Sequence, residues 1–281
     1  MGRLYVIATP IGNRDDITLR ALQLLKAVDV IAAEDTRTTR KLLAHFDIRK
    51  KVISCHSYNE NKRIEWILAQ LSAGRDIALV SDAGTPAISD PGTVIVEAVS
   101  QGGFQVIPVP GASAITAALS ISGLKAPQFY FLGFIPRRGL KRNRAILAHA
   151  ATDTILIFYE SPRRTQTLIE DCLRLLGDRP AVLCNDLTKT YEKIMRGTLS
   201  SILWALEPEV KGEIILLIGP DENTTEMQRS ESCQLSINEQ ARTLLQQGYS
   251  TKDAAKLLME KFSISRRDAY RELIDIQNSG K

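Results

Sequence analysis

Short apolar runs alternate with amphipathic segments along the first 125 residues. Runs of four to six residues, rich in Val, Ile, Leu and Ala, predict buried strands at 4–8, 30–33, 51–55, 76–81 and 104–109. Apolar residues at helical spacing predict helices at 17–28, 38–46, 60–74, 92–103 and 112–123. Strands that alternate with helices in this way indicate an α/β domain with a mostly parallel sheet and helices on both faces.

A second alternation begins after residue 126. Apolar runs predict strands at 129–134, 154–160, 180–186 and 213–219, with helices near 141–151, 163–176 and 198–206. These strands contain more β-branched and aromatic residues, so a mixed sheet is as compatible with them as a purely parallel one. The predicted organisation is therefore an N-terminal α/β domain at 1–125 and a C-terminal α/β domain at 126–220.

The last 61 residues differ in character from the body. Residues 221–236 are polar and predict a linker, and residues 237–281 predict three short helices. Two S-x-x-D segments, Ser250–Asp253 and Ser265–Asp268, have the form of a capping box at a helix start. The tail thus resembles a small helix-turn-helix unit. Such a short unit serves either in packing or dimerisation, or in contact with nucleic acid, and both roles stay open.

Composition adds only broad limits. The chain has 281 residues, 44% hydrophobic and 24% charged, with a net charge of +4, which is typical of a globular protein. No apolar run approaches the ~18 residues of a membrane helix, and the N-terminal run is too short for a signal peptide. We therefore expect no membrane contact and a cytoplasmic location. Four scattered cysteines predict reduced structural thiols, and three histidines without ligand spacing predict no metal site.

The loops that follow the predicted strands of the first domain share an unusual composition. They are rich in Gly, Pro and small polar residues and lie at 8–13, 33–40, 55–61, 81–92 and 108–114. The segment VSDAGTPAISDPG, residues 80–92, is much longer than the roughly 2 to 6 residues that a simple connection needs. Ligands of α/β sheets bind at the carboxyl ends of strands, so these loops, with carboxylates at Asp35, Asp82 and Asp90, predict a site for a small polar ligand bearing ribose hydroxyls and an amino group.

Six segments together resemble the tetrapyrrole methylase fold family, whose members use S-adenosylmethionine (SAM). They are ATPIGN, AEDTR, SDAGTPAISDPG, VPGASA, FLGFIPR and FYESPRR, and the resemblance covers residues 1–220 and, more loosely, the tail. Within the family they are similar to the members that methylate the ribose 2′-O of a cytidine in small-subunit (16S) ribosomal RNA. The resemblance implies two domains with SAM in the cleft between them, a homodimer, and 16S rRNA, free or within the small ribosomal subunit, as partner.

The resemblance also implies the cofactor contacts, position by position. They fall on Pro10, Val80, Ser81, Asp82, Ser113, Ala114 and Tyr159. The family often has Gly-Asp-Pro after the fourth strand, where this chain has Ser81-Asp82-Ala83 and a longer continuation. A further contact therefore falls on either Thr85 or Ile88, and the turn at 211–213 is a vaguer match.

Clustered positive charge is the sequence feature that favours an RNA substrate. The segment IPRRGLKRNR, residues 135–144, contains five basic residues and no acidic one, and a second basic cluster spans 37–51. Such clusters bind phosphate backbones, although a solvated helix start is the simpler alternative. The predicted RNA contacts are Arg137, Arg138, Lys141 and Arg142, with Arg266 and Arg267 in the tail.

Methylation of a hydroxyl calls for a base that takes its proton. Glu34, Asp35 and His56 are the candidates at the ligand edge of the sheet, with Lys189 a weaker one. The two acids also fit a salt bridge to Arg37 or Arg40, or an N-cap for the helix that follows, and the sequence does not identify the base among the candidates. Two other functions stay open: a SAM-dependent methylase of a tetrapyrrole or another small molecule, and a non-enzymatic RNA-binding factor.

Overall fold

The computed structural model describes residues 1–149, 153–207, 211–221, 237, 240–242, 244–245, 249–262 and 265–279. Contacts divide the chain into two compact units, Met1–Pro220 and Asp221–Lys281. The predicted linker falls, except for Asp221, outside the described residues. So do half of residues 237–248, the predicted first helix of the tail, including Gly248.

The first sheet is built entirely from parallel strands. They are β1 (Arg3–Ile7), β2 (Val30–Ala33), β3 (Lys51–Ser54), β4 (Ile77–Val80) and β5 (Gln105–Val109), in the order β3-β2-β4-β1-β5. The helices are α1 (Leu19–Ala27), α2 (Thr36–His45), α3 (Glu60–Ser72), α4 (Thr93–Gln101) and α5 (Ala114–Ser122), with a 3-10 turn at Arg14–Asp16. Each predicted strand and helix of this domain is present, so the strand–helix prediction is confirmed.

Helices cover both faces of this sheet because successive strand residues point to opposite sides. On one face Ile31 packs in a common core with Leu25 of α1. On the other face Leu79 packs with Ile67 of α3 and Ile95 of α4. The strands are therefore buried on both sides, and their carboxyl ends and the following loops meet at one edge.

The second sheet is mixed. Its strands are β6 (Gln128–Gly133), β7 (Thr154–Glu160), β8 (Pro180–Asn185), β9 (Lys193–Thr198) and β10 (Ile214–Ile218), in the order β6-β7-β10-β8-β9. Only the β6–β7 pair is parallel. Helices α6 (Leu140–Leu147), α7 (Pro162–Leu176) and α8 (Leu199–Ala205) pack on one face. The sequence does not predict strand β9. Its segment KIMRGT has only two adjacent apolar residues, which lie between two charged ones, and it also contains a glycine.

Helix α5 joins the two sheets. Its residues Ile115 and Ala118 lie in one buried cluster with Ile157 of β7 and Leu217 of β10. The first domain thus supplies the helix that covers the second face of the C-terminal sheet. This shared core fixes the loop before α5 against the second domain.

The tail unit has its own small core. Helices α9 (Thr251–Phe262) and α10 (Arg266–Ser279) contribute Leu258 and Leu273, which pack with Leu244. The N–H of Asp253 donates to the Ser250 hydroxyl at 3.2 Å, and the same contact recurs between the Asp268 N–H and Ser265 at 3.2 Å. The serine of each predicted capping box therefore caps its helix start, and its hydroxyl donates to the aspartate carboxylate at 2.6 Å rather than leaving that carboxylate to the backbone. None of the described helices has the length and apolar content needed to cross a membrane.

Three cysteines lie in the described part of the chain, and all are buried and unpaired. Burial raises the pKa of Cys55 and Cys184 to about 11 and that of Cys172 to about 12. The thiolate is the reactive form of cysteine, so these side chains are inert core residues, as predicted for structural thiols. Cys233 lies outside the described residues.

Candidate cofactor cleft and the pocket beside it

The loop after β4 has a backbone shape that a simple connection would not require. Gly84, Ala87, Ser89 and Gly92 all have positive φ, between 63° and 129°. Glycine adopts such angles freely, but Ala87 and Ser89 carry a Cβ and are strained by roughly 1–2 kcal/mol each. Strain of this kind concentrates at functional sites. The length and composition of residues 80–92 therefore build a specific surface rather than a connection.

The loops after β1 and β4 are bound to each other. The N–H of Thr9 donates to the Gly84 carbonyl at 2.8 Å, and the Gly84 N–H donates to the Thr9 carbonyl at 3.0 Å. The Thr9 hydroxyl also donates to the carbonyl of Ser81 at 3.1 Å. Two of the predicted ligand loops thus form one bonded unit at the edge of the sheet.

A cleft of about 370 Å³ lies between the two domains next to this unit. Its first wall comes from the loops after β1 and β4 and from the start of α5, and its second wall comes from the ends of β6 and β7 and from the start of β10. Among the lining residues are Ile11, Ile88, Asp90, Phe134, Tyr159, Leu187, Glu213 and Ile215. Apolar side chains suit a flat base, and the two carboxylates suit a cation, so the lining fits the adenine and the sulfonium and ammonium groups of SAM.

The structure divides the nine predicted cofactor residues into three groups. Five of them, Thr85, Ile88, Ser113, Ala114 and Tyr159, line the cleft. Pro10, Ser81 and Asp82 line an adjacent pocket of about 250 Å³, which shares Ile11, Ala83 and Glu213 with the cleft. The side chain of Val80 is buried in the core of the sheet, and its carbonyl accepts a hydrogen bond from the Glu34 N–H at 3.3 Å. Only the backbone of Val80 is therefore available near the site.

The adjacent pocket carries positive charge at its rim. Arg14 and Lys41, both exposed, are among its lining residues. Lys189 lines it as well, and its ammonium pairs with Asp186 at 2.7 Å and Glu213 at 3.2 Å. The pocket can therefore receive an anionic group directly beside the cleft.

Asp90 is the cleft residue whose importance the sequence does not reveal. The sequence places it among the carboxylates of the ligand loops, in a turn-like S-D-P-G segment, but assigns it no specific contact. Burial, together with the negative charges of Glu34 and Asp82, raises the pKa of Asp90 to about 6. Burial, Asp90 and Glu213 likewise raise the pKa of Tyr159 to about 12. The cleft is thus an environment that disfavours further negative charge and favours a cation.

The three candidate bases occupy different environments. Asp35 is the N-cap of α2, where its carboxylate accepts from the Arg37 N–H at 2.8 Å and pairs with the Arg37 guanidinium at 2.8 Å. These contacts lower the pKa of Asp35 to about 2. Asp35 therefore has both structural roles that the sequence offered as alternatives, and its carboxylate is a weak base.

Glu34 and His56 are placed differently. Glu34 is half-buried, burial raises its pKa, and its Oε2 accepts a hydrogen bond from the Asp82 N–H at 3.3 Å. Nε2 of His56 lies 3.2 Å from the Asn59 amide nitrogen, and its Nδ1 is buried without a hydrogen-bond partner among the described residues. No His, Cys, Asp or Glu side chains are grouped as metal ligands in the part of the chain that the structure describes.

Comparison with known proteins decides the family. Residues 3–203 match the family model of the tetrapyrrole (corrin/porphyrin) methylases. The chain belongs to this family. The family, fold and methyltransferase predictions made from the sequence are therefore confirmed.

Two relatives match almost the entire chain. The ribosomal RNA small subunit methyltransferase I of Halalkalibacterium halodurans is 43% identical over 96% of this chain and 93% of its own. The protein of the same name from Synechocystis sp. is 40% identical over 100% of both chains. Among solved structures, the Thermus thermophilus uroporphyrin-III C-methyltransferase complexed with S-adenosyl homocysteine has a TM-score of 0.57 at 20% identity, covering 78% of this chain and 97% of its own. At that identity the likeness concerns the fold.

The basic segment of this tetrapyrrole methylase contains one residue that the sequence misassigns. Arg137, Arg138 and Lys141 are exposed, but Arg142 is only 1% exposed. The Arg142 guanidinium donates to Asp171 at 2.6 Å and lies 3.6 Å from Glu160. Arg142 is therefore not part of the exposed basic surface that the sequence predicts, because Asp171 and Glu160 hold its guanidinium inside the C-terminal domain.

The two arginines predicted in the tail are exposed. Arg266 and Arg267 lie on the first turn of α10, and the Arg266 guanidinium stacks 5.6 Å from the ring centre of Tyr270. This placement is compatible with a nucleic-acid contact, which stays a prediction.

Proposed function

We propose that this protein methylates small-subunit ribosomal RNA, transferring the methyl group of SAM to the ribose 2′-O of a cytidine in 16S rRNA. The observation that supports this proposal is how much of the chain each similarity covers. The tetrapyrrole methylase model ends at residue 203, whereas the Synechocystis rRNA methyltransferase matches the whole chain, including the tail. The Thermus enzyme named for a tetrapyrrole substrate covers 78% of this chain with nearly all of its own length. A substrate larger than a tetrapyrrole would account for the additional C-terminal unit, Asp221–Lys281.

SAM supplies a methyl group on a positively charged sulfur, which is already activated for displacement. In the cleft, Asp90 and Glu213 complement the positive charges of the bound cofactor, and Ile11, Ile88 and Leu187 offer apolar contact to its base. The small residues Ser113 and Ala114 at the start of α5 permit close approach. Holding both reactants in line supplies much of the acceleration in such a displacement.

The pocket beside the cleft is the proposed place of the acceptor ribose. Its shared wall of Ile11, Ala83 and Glu213 puts it next to the cofactor, and its rim cations Arg14 and Lys41 suit the neighbouring phosphates. With SAM bound, the hydroxyl oxygen here would bond to the methyl carbon as the carbon–sulfur bond broke, and the electron pair of that bond would pass to sulfur. Glu34 is the preferred acceptor of the hydroxyl proton, because its raised pKa makes it a stronger base than Asp35.

Three further features belong to this proposal. From the family resemblance we infer a homodimer, which light scattering would show as twice the 31.1 kDa of one chain. We infer a cytoplasmic location, where ribosomes are assembled. We also infer that the assembled small subunit presents the acceptor nucleotide, with the exposed tail arginines near its RNA.

Transfer of a radiolabelled methyl group from SAM tests the proposed function. The acceptors are assembled small subunits from a strain without this activity, naked 16S rRNA, and uroporphyrinogen III. We expect label in the RNA of the subunits, and nuclease digestion followed by mass spectrometry should place it on a cytidine ribose. Label in the tetrapyrrole alone would establish the small-molecule alternative, and SAM binding without any transfer would establish a binding factor.

A further inference from the structure

A third pocket, in the C-terminal domain, is lined by four arginines. It has a volume of about 380 Å³ and is formed by the loop after β6 together with α6 and α7. Its lining residues are Arg137, Arg138, Arg142, Arg164 and Thr167. Arg137 and Arg138 were predicted as part of a basic surface, whereas Arg164 comes from a distant part of the sequence. We call this cavity the arginine pocket.

Specific contacts hold the arginine side chains at the base of the arginine pocket. The buried Arg142 side chain is fixed by the Asp171 carboxylate, and its Nη1 donates to the carbonyls of Pro136 at 3.4 Å and Arg137 at 3.5 Å. Its Nη2 is buried and has no hydrogen-bond partner among the described residues, and neither has Nε of Arg164. Unsatisfied buried donors are costly, so two guanidinium groups at one pocket retain a capacity for an acceptor.

The acids near the arginine pocket do not neutralise it. Glu160 is fully buried; its Oε1 accepts from the Ser161 N–H at 2.8 Å, and its Oε2 pairs with Arg164 at 2.9 Å. Asp171 is shared between Arg142 and a fifth arginine, Arg174, at 2.8 Å. Two carboxylates therefore face five guanidinium groups in this cluster.

The two arginines at the mouth add further positive charge. Arg137 and Arg138 are exposed, and neither forms an ion pair with another described residue. Guanidinium groups bind phosphate oxygens through paired N–H donors, and several around one cavity favour a phosphate over a carboxylate.

We propose that the arginine pocket binds one phosphate group, and that its source is a backbone phosphate of the RNA substrate. The assignment of the source rests on the proposed function. Glu160 connects the pocket with the cofactor cleft, because it lines the cleft and pairs with Arg164 and Arg142. A phosphate held here would anchor the RNA strand within one side-chain layer of the methyl donor. Arg164 is the residue that this proposal adds to the RNA contacts.

The test compares two double variants that remove the same charge. Arg137→Gln with Arg138→Gln removes the mouth of the arginine pocket and leaves the buried ion pairs intact. Arg144→Gln with Arg163→Gln removes two exposed arginines from α6 and α7 that do not line the pocket. The affinity of each full-length protein for a fluorescein-labelled single-stranded RNA is measured by anisotropy over a range of salt concentrations. Unchanged SAM affinity by calorimetry shows that each variant is folded.

We expect the pocket variant to bind RNA about tenfold more weakly and to lose about 0.7 from the slope of log K against log salt, the value for one phosphate on a single strand. The control variant should change by less than about threefold. Equal losses in the two variants would overturn the proposal, because a diffuse positive field weakens both alike.

Inorganic phosphate distinguishes the two sources of the ligand. At constant ionic strength, phosphate should weaken RNA binding to wild type more than chloride does, and this difference should vanish in the pocket variant. Stabilisation of wild type by phosphate with unchanged RNA affinity in the pocket variant would overturn the RNA assignment. Methyl transfer by wild type to small subunits is measured in parallel, so a failure of the proposed function appears as no transfer at all, independently of the variants.

Discussion

At the scale of single residues, the charge of Asp90 should make the affinity of the cleft for SAM depend on pH. Its pKa is raised to about 6, so the carboxylate is neutral below that value and negative above it. A cationic cofactor is attracted only by the ionised form. SAM affinity should therefore rise by up to about tenfold between pH 5 and pH 7, the effect of one lost charge contact of ~1.4 kcal/mol. Calorimetry at several pH values measures it.

Asp90→Asn is the control for this pH effect. The amide keeps the size of the side chain but does not titrate, so its SAM affinity should be low and nearly independent of pH over the same range. A variant with the same pH profile as wild type would assign the titration to another group.

Glu34 and Asp35 are neighbours in sequence but should differ in catalysis. Glu34→Gln keeps an acceptor for the Asp82 N–H while removing the basic carboxylate, so kcat should fall by roughly 100-fold or more with SAM affinity little changed. Asp35→Asn keeps a good N-cap residue and should leave kcat within about threefold of wild type. Single-turnover methyl transfer to small subunits measures both, and a reversed order of the two effects would contradict the choice of Glu34.

Residue roles were predictable where they depend on local sequence and not where they depend on distant partners. The N-cap position of Asp35 follows from its place before a helix. Burial of Arg142 has only a faint local signal, namely its i,i+4 spacing to the buried Ile146 on α6. Its carboxylate partners Glu160 and Asp171 lie in other elements, so a run of basic residues looked uniformly exposed.

At the scale of elements, the strained loop after β4 can be tested by removing its strain. Ala87 has a φ of 68°, which favours glycine. Ala87→Gly should therefore leave the free energy of unfolding unchanged or raise it by up to ~1 kcal/mol, since relief of strain offsets the added entropy of the unfolded chain. Ala69→Gly, at an exposed position within α3, should lower it by ~1 kcal/mol. Urea unfolding compares them, and equal destabilisation would show that the loop is unstrained.

Most elements were predictable because their hydrophobic period is local. The strand at 193–198 was missed because it is an edge strand, paired only with β8, and carries little apolar signal of its own. The mixed pairing of the second sheet depends on contacts between distant segments. The β-branched and aromatic content of its strands was compatible with a mixed sheet but did not determine the strand order.

At the scale of the whole molecule, the tail should be separable from catalysis. Its described residues form a core of their own, and every described residue that lines the cleft lies before residue 220. A chain ending at Pro220 should bind SAM with wild-type affinity, melt within a few degrees of the full-length protein, and bind small subunits at least about tenfold more weakly. Calorimetry, thermal unfolding and sedimentation with subunits measure these properties. Aggregation of the shortened chain would instead show that the tail supports the fold.

The position of the cleft between two domains came from the family resemblance and not from the hydrophobic pattern. Periodicity indicated two α/β domains, but the covering of the second sheet by α5 depends on side-chain packing between distant segments. The division of the predicted cofactor residues between the cleft and its neighbouring pocket depends on the same packing.

The central place of β10 has a consequence for synthesis on the ribosome. The strand lies between β7 and β8 and packs against α5, yet it is the last strand of the body to be translated. Until residues 214–218 emerge, the nascent second sheet is split into two halves, and the apolar side of α5 has no cover. At 5–20 residues per second this interval lasts roughly 5–20 s after α5 itself is made. The protein is most in need of a chaperone during that interval, and release of a chain stopped just before residue 214 would leave both apolar surfaces open to aggregation.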